Sequence, residues 1–138
     1  MGVLFNSFEE WKKECEEKKV SLFSPVLDFE INQKGKKEEA IWEGISAAYQ
    51  VMKEAVQSGL KEEMTSYSGM INNGAKKVMT HPKPVLSIEF QRLVARALAA
   101  KEVNSCMGRV VAAPTAGASG ILPGTLVTLQ EIHSIEDQ

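Results

Sequence analysis

The sequence predicts a mainly α-helical fold with a glycine-rich loop before its last helix. Apolar residues recur at helical spacing in four segments, 7–19, 37–58, 87–104 and 125–134. A glycine-rich segment, 114–124, lies directly before the last of them. A chain of 138 residues can bury one hydrophobic core, so we expect residues 1–138 to form a single helical domain.

The N-terminal part of the chain predicts one helix and then a connector. Ser7 begins a Ser-x-x-Glu capping box, which favours a helix over 7–19. Cys15 lies among the apolar residues of that helix, and we interpret it as a small core or half-buried residue. Residues 20–35 have weaker periodicity, and Pro25 interrupts a helix there, which predicts an irregular or extended connector.

The clearest helical pattern covers residues 37–58. Gly59 follows it, at the position where a glycine in the left-handed conformation commonly ends a helix. Trp42, Tyr49 and Met52 lie on this helix and suggest a ligand-binding group. Aromatic and methionine side chains at helical spacing usually belong to the core, however, and we interpret all three in that way.

The polar segment 60–83 predicts turns and a short helix over 75–79. His81 follows beside two prolines and is interpreted as a solvated loop residue. A second strong helix is expected over 87–104, with many alanines that allow close approach of neighbouring helices. We expect its buried side to consist of Ile88, Phe90, Leu93, Val94, Ala97 and Leu98.

Charge and hydropathy exclude several function classes. The 16 basic and 18 acidic residues leave a net charge of −2, which argues against a nucleic-acid-binding protein. No apolar segment approaches the ~18 residues of a membrane span, and the N-terminus lacks a signal-peptide pattern. We therefore expect a cytoplasmic protein with neither nucleic acid nor membrane as a partner.

The cysteines limit the metal chemistry of the chain. There are 2 of them, Cys15 and Cys106, without a Cys-x-x-Cys pattern. An iron–sulfur cluster takes three or four thiolates, so we expect no metal site in this chain. Cys106 is interpreted as a small residue at a helix end.

The composition of segment 114–124 would suit an anion-binding loop. Its glycines can adopt positive φ and present backbone N–H groups, and the following helix adds the positive end of its dipole. Thr115 and Ser119 add hydroxyl donors that would suit a carboxylate or a phosphate. The P-loop and dinucleotide-binding patterns do not fit. The residues alone leave two interpretations open, an anion site and a tight structural turn.

Two segments resemble a known family. The hallmark segment of the iron–sulfur-dependent L-serine dehydratases, in their α chain or α domain, is similar to residues 102–124, which are EVNSCMGRVVAAPTAGASGILPG. A second, glycine-rich stretch of that family is similar to residues 68–77, which are SGMINNGAKK. The resemblance covers about residues 37–138, and the 102–124 segment is its specific part.

The resemblance implies a mainly helical N-terminal part of the α chain of an L-serine ammonia-lyase that works without pyridoxal phosphate. The complete enzyme would convert L-serine to pyruvate and ammonia in amino-acid degradation and gluconeogenesis, with a [4Fe–4S] cluster as Lewis acid and a general base that the resemblance does not identify. By the match, the substrate-binding residues are Asn104, Thr115, Gly117, Ser119, Gly120, Ser68 and Gly69.

Two differences from the family set the expectations for this chain. The cluster cysteines of the family follow the hallmark segment and have no counterpart here, so we expect neither a cluster nor serine turnover on this chain alone. Asn73 stands where the family usually has aspartate. The implied partners are L-serine, the remainder of an α chain, and a β chain or β domain, with a homo-oligomer left open. Two rival interpretations also stay open, a non-enzymatic binding or regulatory module and a structural fragment with a collapsed loop.

Overall fold

The computed structural model describes residues 5–136, and within this range it contains six α-helices and no extended strand. The helices are α1 (Phe8–Lys18), α2 (Ser24–Asn32), α3 (Glu38–Lys61), α4 (Gly74–Met79), α5 (Ile88–Ser105) and α6 (Ala118–His133). The predicted mainly α fold class is confirmed. No helix in the described part of the chain is long and apolar enough to cross a membrane.

The chain divides into two compact units, residues 1–46 and 47–138. In the first unit, the Ser7 hydroxyl accepts a hydrogen bond from the Glu10 N–H at 3.1 Å, so the predicted cap of α1 is confirmed. Cys15 is buried as expected. The expectation of a single domain over the whole chain stays a prediction.

The connector predicted over 20–35 is wrong, because these residues contain helix α2. Pro25 lies in the first turn of that helix. A proline is tolerated there because the first N–H groups of a helix have no partner within the helix, so the N–H that proline lacks is not missed. The fixed φ of proline also suits the helical backbone. Pro25 therefore begins a helix instead of interrupting one, and it is buried.

The predicted helix end at Gly59 is also wrong, because α3 continues through this residue to Lys61. A Cβ atom at Gly59 would lie 2.6 Å from the carbonyl carbon of Ala99 in α5. The glycine thus permits close contact between two helices and makes no left-handed cap. The core interpretation holds for buried Met52, but it is wrong for Trp42, which is 42 % exposed.

The second unit is organised around α5. Its hydrophobic core consists of Ala55, Val56, Met64, Ala100 and Val103. The predicted buried side of α5 is wrong for Ile88, Phe90 and Leu98, which are exposed, whereas Leu93, Val94 and Ala97 are half-buried. Alanines form the buried side instead, because a side chain of one carbon allows neighbouring backbones to approach closely, and the larger residues remain outside.

Helix α6 begins well before the predicted residue 125, at Ala118. Pro123 lies inside it and is buried. Positive φ was expected for the glycines of segment 114–124, yet Gly117 has a φ of −70° and Gly120 lies within the helix. Gly120 and Gly124 serve close packing, because a Cβ atom on them would lie 2.8 Å and 2.6 Å from backbone atoms of Ala97.

Two glycines of α3 should respond in opposite ways to replacement by alanine. Gly59→Ala should destabilise the protein by about 1–3 kcal/mol, because the added methyl group meets the backbone of α5. Gly44→Ala is the matched control in the same helix, where nothing lies within 4 Å of the added atom. It should stabilise α3 by up to about 1 kcal/mol through helix propensity. Urea unfolding followed by circular dichroism tests both; equal effects would contradict the packing role of Gly59.

Candidate functional site

The residues expected to bind substrate lie on three elements of the second unit. Thr115 and Gly117 precede α6, and Ser119 and Gly120 lie in its first turn. Asn104 is exposed near the end of α5, and the Ser68–Gly69 pair lies in the loop that joins α3 to α4. These three elements are separated in the sequence, so tertiary contacts must link them.

The last turns of α5 contact both of the other elements. Lys101 donates a hydrogen bond from Nζ to the carbonyl of Ala116, 3.3 Å away, in the segment before α6. Glu102, the next residue, accepts a hydrogen bond at Oε1 from the Ala75 N–H at the start of α4, at 3.2 Å. The two family-like segments are therefore joined through adjacent residues of one helix.

The segment before α6 is ordered by its own hydroxyl groups. Thr115 Oγ1 accepts a hydrogen bond from the Ala118 N–H at 3.1 Å, and Ser119 Oγ donates to the Ala116 carbonyl at 2.8 Å. The N–H groups of Ser119 and Gly120 are bonded to carbonyls of the same segment. The Thr115 hydroxyl retains its hydrogen for a ligand, and the adjacent Lys101 ammonium and the start of α6 both contribute positive potential.

The loop between α3 and α4 carries Ser68 and Gly69 at its exposed tip. Gly69 has a φ of +71°, which a residue without Cβ adopts without strain, and its N–H donates to the Ser66 carbonyl at 2.8 Å. The two sides of the loop meet in an isolated antiparallel bridge between Thr65 and Asn72. Ser68 and Gly69 therefore lie at the tip of a loop whose base is closed by hydrogen bonds.

Asn73 is the residue that closes the base of this loop. Its Oδ1 accepts a hydrogen bond from the Met64 N–H at 2.7 Å, and its Nδ2 donates to Glu63 Oε2 at 2.5 Å. The position needs both an acceptor and a donor, and an aspartate would place a second carboxylate against Glu63. Asn73 also has a left-handed φ of 53°, which asparagine tolerates better than most residues.

Glu102 is a site residue that the sequence analysis did not single out. It is only 4 % exposed, and its Oε2 atom is buried without a hydrogen-bond partner in the described part of the chain. A Cβ atom at Gly74 would lie 2.7 Å from its Oε1 atom, so a larger residue there would displace the carboxylate. Two sequence features could have indicated Glu102: its place inside the hallmark segment, and the Gly74-Ala75 pair at the start of a short helix.

The opposite end of α4 is held by a second polar side chain of α5. Gln91 is buried, and its Nε2 donates to the carbonyls of Val78 and His81 at 2.5 Å and 2.9 Å. Together with Glu102 it fixes both ends of the short helix that follows the Ser68–Gly69 loop. His81 is exposed in a loop, as the sequence predicts.

The base of the loop also contains an ion pair that lowers the pKa of a carboxyl group. Lys76 Nζ lies 2.7 Å from Glu63 Oε1. Hydrogen bonding to Lys76, and next to Asn73, lowers the pKa of the Glu63 carboxyl below its ordinary value. A carboxyl with a lowered pKa favours the folded loop at neutral pH, and this contribution is lost as the pH falls through the folded-state pKa.

Removing Lys76 should relieve most of the lowering of the Glu63 pKa, because Lys76 is its largest cause. In Lys76→Met, the pKa of the Glu63 carboxyl should rise toward that of a free glutamate, which NMR titration of the side-chain carbon measures. Lys77→Met is the matched control, because Lys77 Nζ contacts the Asn72 carbonyl and no carboxylate. An unchanged Glu63 pKa in Lys76→Met would contradict the ion pair.

Loss of the buried carboxylate of Glu102 should destabilise the second unit. Glu102→Ala leaves the Ala75 N–H buried without its acceptor, which costs about 1–3 kcal/mol. Glu102→Gln retains a carbonyl oxygen of similar reach and should recover at least half of that loss. Chemical unfolding measures both variants, and a Glu102→Ala protein as stable as the wild type would show that the contact contributes nothing.

The residues present do not fit the [4Fe–4S] cluster that the resemblance implies. Buried Cys15 belongs to the first unit, and half-buried Cys106 caps α5 in the second. Across residues 5–136, no group of three or more His, Cys, Asp or Glu side chains is arranged to hold a metal ion. A cluster needs more thiolates than the two that this chain possesses.

Comparisons with known proteins agree on one family. The family described as "Serine dehydratase alpha chain" matches residues 17–138. The L-serine dehydratase alpha chain of Peptoniphilus asaccharolyticus is 30 % identical over 136 residues, which are 96 % of this chain and 47 % of that protein. The probable L-serine dehydratase alpha chain of Bacillus subtilis is 31 % identical over 131 residues, which are 93 % of this chain and 43 % of that protein.

A third relative matches a smaller part. The L-serine dehydratase of Streptomyces coelicolor is 34 % identical over 107 residues, which are 73 % of this chain and 23 % of that protein. This chain thus spans less than half the length of each of these three relatives. No solved structure matches the chain.

Proposed function

Because the chain belongs to the serine dehydratase alpha chain family, we propose that it forms part of an L-serine ammonia-lyase and supplies one wall of its L-serine-binding site. The observation that carries this proposal is the junction at the end of α5. Lys101 and Glu102 join the segment before α6 to the base of the Ser68–Gly69 loop. Both family-like segments are thereby held against the same helix end.

The segment before α6 suits the carboxylate of L-serine. The Thr115 hydroxyl hydrogen is a donor, and the Lys101 ammonium, which contacts the Ala116 carbonyl of the same segment, adds a positive charge. Hydrogen bonds to a charged carboxylate are among the strongest in proteins. Gly117 leaves the approach open, because a Cβ atom there would meet nothing closer than Thr115 Oγ1 at 3.9 Å.

The remaining polar groups suit the other end of the substrate. Asn104 is exposed at the end of α5, and Ser68 lies at the exposed tip of its loop. An amide and a hydroxyl can both accept from an ammonium group and donate to a hydroxyl. We assign Ser119 and Gly120 to support of this wall, since Ser119 orders the segment and Gly120 sets its distance from α5.

The rest of the catalytic apparatus is proposed to lie elsewhere in the enzyme. Since the two thiols do not fit a [4Fe–4S] cluster, we assign the cluster to residues outside this chain and expect no serine turnover by this chain alone. The partners are then the remainder of an α chain and a β chain or β domain. The complete enzyme is proposed to be cytoplasmic.

Titration with L-serine tests the wall directly. In ¹⁵N NMR spectra of the chain, L-serine should shift the amide signals of residues 115–119 with a dissociation constant on the order of 1 mM, a weak affinity because one wall provides only part of the contacts. Lys101→Gln should weaken binding by about 10- to 100-fold, since a hydrogen bond to a charged group contributes roughly 1.5–3 kcal/mol. Lys61→Gln, at the exposed end of α3, is the matched control and should leave binding unchanged.

The same titration separates the proposal from its rivals. A folded chain whose 115–119 signals do not move at 100 mM L-serine, on the order of a hundred times the expected dissociation constant, would contradict the substrate-binding role. Shifts that are as large with acetate would indicate a general anion site instead of a serine site.

A further inference from the structure

Residues of α1, of α2 and of the turn between them line a cleft of about 310 Å³ in the first unit. Ligand pockets have volumes of about 300–1,000 Å³, so a cleft of this size suits a small molecule. The Trp11 indole N–H donates to the Leu22 carbonyl at 2.9 Å, which fixes α1 to the turn that leads into α2. Pro25, in the first turn of α2, is buried and lines the cleft. The walls are therefore in place before a ligand binds.

The α1 wall of this cleft carries an ammonium group. Glu14 and Lys18 are one helical turn apart, and Lys18 Nζ lies 2.5 Å from Glu14 Oε1. Hydrogen bonding to Glu14, and to a smaller extent the negative charge of Asp28, raises the pKa of the Lys18 ammonium, which therefore stays charged at neutral pH. An ammonium has three donors, and the contacts of Lys18 within residues 5–136 use one of them. Two N–H groups therefore remain for an anionic group of a ligand.

The α2 wall carries hydrogen-bond acceptors. Ser24, Asp28 and Asn32 are spaced by four residues, so they lie along one side of the helix, and all three line the cleft. Asp28 is exposed and forms no ion pair with any residue of the described range. Its carboxylate is thus available to a cationic group, and the Ser24 hydroxyl and the Asn32 amide add acceptor atoms one turn away on either side.

The two walls present opposite charges across one small cleft, and Val20 and Phe29 add apolar surface to it. We propose that this cleft binds a free α-amino acid with an apolar side chain. The ammonium of the amino acid binds Asp28, its carboxylate binds Lys18, and its side chain contacts Val20 and Phe29. Hydrogen bonds between charged groups are stronger than those between neutral groups. Every residue of this site belongs to the first unit, so the site is separate from the wall proposed to bind L-serine and does not depend on it.

Other small charged molecules fit this cleft less well. A dicarboxylate would be repelled by Glu14 and Asp28, and a diamine would bring a second cation to Lys18. L-Serine carries both charges, but its hydroxymethyl group leaves the apolar surface of Val20 and Phe29 uncovered. Burial of apolar surface favours binding in proportion to the area that is covered. The charges of the cleft therefore select an amino acid, and its apolar surface selects among amino acids.

Titration with L-leucine tests the proposal. In ¹⁵N NMR spectra of the chain, L-leucine should shift the amide signals of residues 26–33 with a dissociation constant on the order of 1 mM. 4-Methylpentanoate, which lacks the ammonium group, and L-leucinamide, which lacks the carboxylate, should each bind at least about tenfold more weakly, because each loses one charged contact. L-Serine should also bind this cleft at least about tenfold more weakly, because it lacks the apolar side chain.

Asp28→Asn should weaken the binding of L-leucine by about tenfold or more, because the amide lacks the charge that holds the ammonium group. Glu43→Gln is the matched control, since it removes the same charge from an exposed position of the first unit that does not line the cleft. It should leave the dissociation constant within about twofold of the wild type, because a distant exposed charge is screened by salt.

Three results would overturn the proposal. The first is that the signals of residues 26–33 do not move at about 100 mM L-leucine, far above the expected dissociation constant. The second is that L-serine or either analogue of L-leucine binds the cleft as tightly as L-leucine does. The third is that Asp28→Asn binds L-leucine as the wild type does. Circular dichroism should show that Asp28→Asn remains folded, since Asp28 is exposed.

Discussion

Close contact between backbones at the small residues of α5 is the constraint on which the second unit depends. Gly59 of α3 lies against Ala99, and Gly120 and Gly124 of α6 lie against Ala97. At each point an added methyl group would meet main-chain atoms, which cannot move aside as a flexible side chain can. The core is therefore built at short helix-to-helix distances, and the positions of the loops at both ends of α5 follow from it.

The sequence predicts the helices with strong periodicity and fails where glycine and proline have two possible roles. The start of α1 was predicted from the hydroxyl cap at Ser7, which is a local feature, and in the structure the Ser87 hydroxyl caps α5 in the same way. Gly59 was assigned to a helix end and Pro123 to the loop before the last helix, although both lie inside helices. A glycine at a helix end and a glycine at a helix crossing have the same local sequence signal, and only the tertiary neighbour distinguishes them.

The candidate site shows the same difference between local features, which the sequence predicts, and tertiary contacts, which it does not. Composition and resemblance identified the segments of Ser68 and Thr115, because the small residues in them are unusual over a short range. They did not identify Lys101 or Glu102, whose importance depends on partners 15 and 27 residues away. A charged residue on a helix is ordinary by itself, and its burial or its contact with a distant loop is a property of the packed structure.

The attachment of α4 has a consequence for how the second unit moves. A helix of six residues has little stability of its own, because nucleation costs more than so few internal hydrogen bonds return. Gln91 donates a hydrogen bond to the C-terminal end of α4, and Glu102 accepts one from its start. Both residues belong to α5. Any tilt of α5 is therefore transmitted to α4 and to the loop that ends in Asn73. A partner that displaces α5 would therefore also displace the Ser68 tip of the loop, without contacting that tip.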